Sequence, residues 1–162
     1  MIPDKTDVKI LKVITDNSRL SYRKIAKKIG VSTLTVLSRM KKMEQDGIIK
    51  GYGAIIDHKK LGLSLSALIE VKTTKGHIVV GEKLLAGFDN IYGVWGVTGA
   101  TDAIILAKFT DTEELSNFTK KILGNPNINS INTHVVLETI KEDLVKWNFL
   151  DMIFKFLVFQ FL

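Results

Sequence analysis

Between Thr33 and Lys42 the chain places hydrogen-bonding and charged side chains at helical spacing: Thr33, Thr35, Ser38, Arg39 and Lys42. Hydroxyls of this kind donate to or accept from base edges, while ammonium and guanidinium groups neutralise phosphates. Val36, Met40 and Met43 recur among them at four- and three-residue spacing, so the same helix also carries an apolar face. Ser32 is placed to cap it, and Gly30 to turn the chain with positive φ. Ser21 is placed to cap a shorter helix before it, with Ile25, Ala26 and Ile29 facing inward. Two short helices joined by a tight turn, the second with a basic, hydroxyl-rich outer face, have the layout of a helix-turn-helix. That device sets its second helix in the major groove of DNA. A generic helical hairpin would show the caps and the apolar spacing, but would have no reason to line its outer face this way.

The candidate DNA contacts are therefore Tyr22, Arg23 and Lys27 on the shorter helix, Ser32 at the turn, and Thr33, Thr35, Ser38, Arg39 and Lys42 on the longer one. Hydroxyls near the start of the longer helix would face bases. Arg23, Lys27, Lys28, Lys41 and Lys42 would hold phosphates, which fixes register without reading sequence. Arg39 is open to two roles, a DNA contact or a brace to a carboxylate within the fold. Charge is distributed to match. Residues 1–60 carry 14 Lys and Arg against 6 Asp and Glu, a net of +8, and residues 61–162 carry 9 against 11, a net of −2. Basicity confined to one part of the chain is the electrostatic footprint of a phosphate-binding module.

Toward the N-terminus, Asp4 or Thr6 can cap a first helix over about Asp7–Asn17. Its pattern leaves Asp7, Lys9, Lys12, Thr15 and Asp16 for water. Gly47 should end the long helix, and Ile48–Tyr52 reads as a short strand. Residues 1–57 form the expected helix-turn-helix domain, and the polar stretch 58–63 a linker. From Ser64 the pattern changes to strand 64–73, helix 76–88, strands 91–99 and 103–110 joined as a hairpin, helix 111–123 and strand 128–137. Asp111, Glu113 and Glu114 at one end of the last helix and Lys120 and Lys121 at the other suit its macrodipole. The order is that of a ferredoxin-like βαββαβ unit, here over residues 64–142. One face of such a sheet carries both helices, and the other stays open until a second molecule covers it, so self-association is expected. The tail 143–162 is strongly apolar and is expected to be a C-terminal helix buried against the domain or a partner chain. Its charges and length fall short of a membrane span. The expected class is α+β.

A second constellation is Gly93, Gly96 and Gly99 with Asp102. Gly99 and Asp102 suit a hairpin turn and need mean nothing more. Alternatively, bare backbone at the glycines could take a ligand's carboxylate and Asp102 its ammonium. No cysteine is present, which excludes disulfides and thiolate metal sites. His58, His77 and His134 show no metal-ligand spacing, and no catalytic triad order or phosphate loop occurs. Trp95 and Phe109 invite an RNA-stacking role, but the basic signature of such sheets is missing and this half is acidic. The start MIPDKTDVKI has acids before any apolar run, so no signal peptide is expected and a cytoplasmic location is.

End to end, the chain closely resembles the Lrp/AsnC family of prokaryotic transcription regulators. The resemblance is carried, in order, by DVKIL, NSRLSYRKIAKKIGVS, SRMKKMEQDGIIKGYGAIID, KLG, VTGATDAIIL and NTHVVLETIKE. It implies a winged or simple helix-turn-helix and a linker strand. It also implies a ferredoxin-like effector domain that pairs through its sheets, with dimers assembling into tetramers, octamers or larger discs. It implies double-stranded DNA as partner, at pseudo-palindromic promoter sites. An amino-acid effector is implied between dimers, near the loop holding Gly99, Thr101 and Asp102 and the strand holding His134 and Val136. The family often has an aromatic residue where Thr101 stands. No cofactor is required and no membrane partner is expected. The function expected is a sequence-specific transcription regulator and not an enzyme. The alternatives are a low-specificity DNA-architectural protein, or an enzyme of the sirohaem-decarboxylase kind on the same architecture.

Overall fold

A computed structural model describes residues 2–74 and 88–142. The expected helix over 76–88 lies outside these residues except for Phe88, and the apolar tail from 143 lies outside them entirely. Two compact units are present, one running to Ala54 and the other spanning Ile55–Ile140. No helix among the described residues is long and apolar enough to cross a membrane.

The first unit is three helices, α1 (Lys5–Asp16), α2 (Tyr22–Ile29) and α3 (Thr33–Gln45). Each starts on a side chain that accepts from its otherwise unpaired N–H groups, namely Asp4, Ser21 and Ser32. Asp4 and Asp7 close a reciprocal capping box. Gly30, at φ 75°, ends α2 and donates to the Ala26 carbonyl at 2.9 Å, which leaves room for only a short turn before Ser32. Ile10 and Ile14 of α1, Ile25 and Ala26 of α2, and Val36, Met40 and Met43 of α3 make one buried cluster.

Two sequence expectations fail here, for clear physical reasons. Ile48–Tyr52 is not a strand. Gly47 adopts φ 70° and turns the chain back, so that the N–H groups of Ile48 and Ile49 donate to the Met43 carbonyl at 2.9 and 3.1 Å. Both isoleucines then pack against the helical core instead of pairing. Asp7, expected in water, has 0% of its surface exposed. It accepts from the Asp4 N–H at 3.0 Å and is met by the Arg39 guanidinium at 3.2 Å.

The second unit is an antiparallel sheet of β1 (Leu65–Thr73), β2 (Ile91–Gly96), β3 (Ala103–Phe109) and β4 (Ile128–Val135), in the spatial order β2-β3-β1-β4. Helix α4 (Thr112–Leu123) is capped by Asp111 and covers one face. Ala67, Ile69 and Val71 of β1 and Ala103, Ile105, Ala107 and Phe109 of β3 face it, and meet Leu115, Phe118 and Ile122. Period-two alternation selects that set. Phe109 is fully buried and packs edge-on to Phe118, so it has no surface for stacking a base. On the opposite face Leu68 and Trp95 are exposed beside Ile104 and Leu106.

Candidate nucleic-acid interface

The orientation of α3 follows from its core contacts. With Val36, Met40 and Met43 buried, a 100° step per residue puts Leu34, Ser38, Lys41 and Gln45 on the opposite strip. All four are exposed. Thr33 and Lys42 are exposed on the flanks, while Thr35 and Arg39 are half-buried. The apolar face therefore sets which polar groups look outward.

Several expected contacts have partners within the fold. Ser32 Oγ accepts from the Thr35 N–H at 3.0 Å and lies 2.8 Å from the Thr35 hydroxyl. Ser38 donates to the Thr35 carbonyl at 3.0 Å, a bond its hydroxyl keeps while its lone pairs face solvent. Arg39 is the clearest case. Its Nη1 pairs with Asp4 and with Asp7, tying α3 to the start of α1 across the core. Of the two roles open to it from sequence, the brace is the one the structure shows. Partial burial works against ionisation of Asp4, but the Asp7 N–H and the Arg39 guanidinium outweigh it and hold the carboxyl below the usual range. The Asp4 hydrogen bond in turn raises the Arg39 pKa.

Tyr22, Arg23, Lys27 and Lys28 are exposed on α2, where Ile25 and Ala26 take the buried side. Beyond α3, Tyr52 donates to Glu44 Oε1 at 2.7 Å and so draws the chain past Gly51 back to the helix. The sequence reading missed Leu34 and Gln45 as outward residues. Their signal was available, since 34, 38, 41 and 45 repeat at helical spacing opposite the buried set.

In the second unit the expected effector residues separate into two places. The loop between β2 and β3 holds Gly99, at φ 121°, with Thr101 and Asp102. The Thr101 hydroxyl donates to the Val71 carbonyl at 2.9 Å. Asp102 Oδ2 accepts from the Thr73 N–H at 2.7 Å and the Thr73 hydroxyl at 2.8 Å. The loop is thereby pinned to the end of β1. His134 stands opposite Leu68, near the other end of β1, and Val136 donates its N–H to Ser66. His134 Nε2 lies 3.2 Å from Glu70 and 3.1 Å from Asn132 on the open sheet face. One copy of the chain does not bring these five residues together. At Gly93 the Trp95 ring lies across the strand where a Cβ would stand, so a side chain there would require the half-exposed ring to move.

The two Thr73 donors, the N–H first, hold the Asp102 carboxyl below the ordinary carboxylate range. A depressed carboxylate contributes stability that is present above its unfolded pKa, about 3.9, and is lost as pH falls through the folded value. The protection factor of the Thr73 amide against hydrogen exchange, relative to its intrinsic rate at each pH, should thus fall on acidification below that range. In an Asp102→Asn variant, acid should leave that protection factor unchanged.

Comparison with known proteins agrees with this geometry. Residues 3–50 match the winged helix-turn-helix DNA-binding profile, and residues 66–145 match the Lrp/AsnC ligand binding domain. An uncharacterised HTH-type transcriptional regulator of Pyrococcus furiosus is 40% identical over 140 residues, covering 86% of this chain and 95% of the relative. A transcriptional regulator of Neisseria meningitidis, solved as its L-Met complex, superposes with a TM-score of 0.82. It is 28% identical, covering 91% of this chain and 99% of that one. E. coli AsnC superposes with a TM-score of 0.80 at 26% identity, over 88% of this chain and 97% of its own.

Proposed function

Since the chain belongs to the Lrp/AsnC family of transcription regulators, we propose that it works as a dimer or a larger even assembly on pseudo-palindromic promoter DNA, with α3 in the major groove and an amino acid as effector. The observation that carries the DNA reading is the strip of Leu34, Ser38, Lys41 and Gln45, exposed opposite the buried Val36, Met40 and Met43. A helix so anchored offers its N-terminal turn to base edges and its basic flanks to phosphates. Thr33, Ser38 and Gln45 are the polar readers. Arg23, Lys27, Lys28, Lys41 and Lys42 hold the backbone, and Tyr22 and Ser32 lie at the N-termini that approach it. Arg39 shapes the reader from behind.

Self-association is supported by the open face of the sheet, where Leu68 and Trp95 stay exposed. The effector reading is supported by the neisserial regulator bound to L-Met. With Gly99, Thr101 and Asp102 at one place and His134 and Val136 at another, a pocket that uses all five needs a second copy. The effector then acts by binding one assembly better than another, since differential affinity is all that can shift such a balance.

The test is fluorescence anisotropy on the DNA upstream of the protein's own gene, with light-scattering mass, with and without L-methionine and the other amino acids. Binding to that fragment is expected to exceed binding to a shuffled duplex by about 10³ or more. One amino acid should shift the affinity or the mass. Equal binding to both duplexes would overturn the sequence-specific reading, and indifference to every amino acid would overturn the effector.

A further inference from the structure

We propose that Leu34 is a base-reading residue whose side chain meets the 5-methyl group of a thymine in the major groove. The proposal rests on the DNA-reading role of α3 and adds the chemistry of one contact. Leu34 is the second residue of the helix, in the turn that reaches base edges in a helix-turn-helix. It is 72% exposed and has no part in the buried cluster of this unit. Its strip is otherwise polar, running on through Ser38 to Lys41.

Among the described residues, a leucine placed there adds little to the packing of the fold. It presents an apolar surface to whatever the helix meets. Along the base edges of the major groove the apolar group is the thymine methyl, with donors and acceptors elsewhere. The flanking basic residues favour a phosphate-bearing partner over an apolar protein groove. Thr33, exposed next to Leu34, can hydrogen-bond a neighbouring edge, so the pair would read one methyl and one polar position side by side.

The experiment uses the full-length protein and duplexes enriched from a random pool by that protein. Each thymine of the enriched half-site is replaced in turn by deoxyuridine, which removes only the methyl. Wild-type protein should lose about fourfold in affinity at one thymine per half-site, the worth of one buried methyl. Leu34→Ala, which loses the contact in both half-sites of a dimer, should bind the thymine duplex about fourfold more weakly per half-site and show no further loss with deoxyuridine. A Leu34→Gln variant should shift the enriched base at that position away from thymine. Deoxyuridine insensitivity at every position, or a penalty that persists in Leu34→Ala, overturns the proposal while leaving the DNA reading intact. Failure to enrich any duplex overturns both.

Discussion

Replacing Arg39 with alanine is expected to destabilise the helical unit by about 2–3 kcal/mol and to weaken DNA binding only through that loss. The two ion pairs made by Nη1 differ in worth. Its pairing with Asp4 is solvent-exposed, and such pairs contribute about 0–1 kcal/mol. The pair with Asp7 differs because that carboxylate is buried. Removing a cation from a buried carboxylate costs about 3–5 kcal/mol where both groups are enclosed, and Arg39 is itself partly exposed, which lowers the figure. At 2–3 kcal/mol, hydrogen exchange at the Ile10 and Ile25 amides should speed up roughly 30- to 150-fold. If Arg39 instead served DNA, those amides would keep their protection and only affinity would fall. Arg39→Lys should recover part of the stability, since it keeps a positive charge beside the buried carboxylate but not the reach of the guanidinium.

The second large effect is that of salt. A dimer that sets Arg23, Lys27, Lys28, Lys41 and Lys42 of each copy against the backbone would neutralise about 6–10 phosphates. Affinity should then fall by about 10³–10⁵ between 50 and 200 mM salt, as condensed counterions are released on binding. Lys42→Ala should weaken binding to every sequence alike, and should flatten the logarithmic salt slope by about 1 for each copy on the duplex. An unchanged slope would remove Lys42 from the phosphate contacts.

Much of the fold is legible in the sequence because its signals are local. Ser21, Ser32 and Asp111 cap where short polar residues precede a helix, and Gly30 turns where a left-handed residue is needed. Alternation in β1 and β3 picks out the buried side of the sheet. The misses are long-range or competitive. Nothing near Asp7 announces that a guanidinium 32 positions away will meet it. Ile48 and Ile49 have the residue types of a strand. However, the turn at Gly47 brings their amides to a nearer partner, the Met43 carbonyl. Leu34 was overlooked because an exposed leucine reads as core filler until the core is assigned. Of the two meanings that sequence allows Asp102, its hydrogen bonds to Thr73 show the hairpin brace, and the effector contact is the one proposed.

The most direct test of the central claim, that the outward strip of α3 lies in the major groove, is dimethyl sulfate footprinting of the full-length protein on an enriched duplex. Guanine N7 is reached from the major groove and adenine N3 from the minor groove. Protection of N7 is expected in two half-sites about one helical turn, or a multiple of it, apart, with N3 left reactive in the same segments. Reactive N7 throughout the bound site, with protection confined to N3, would contradict it.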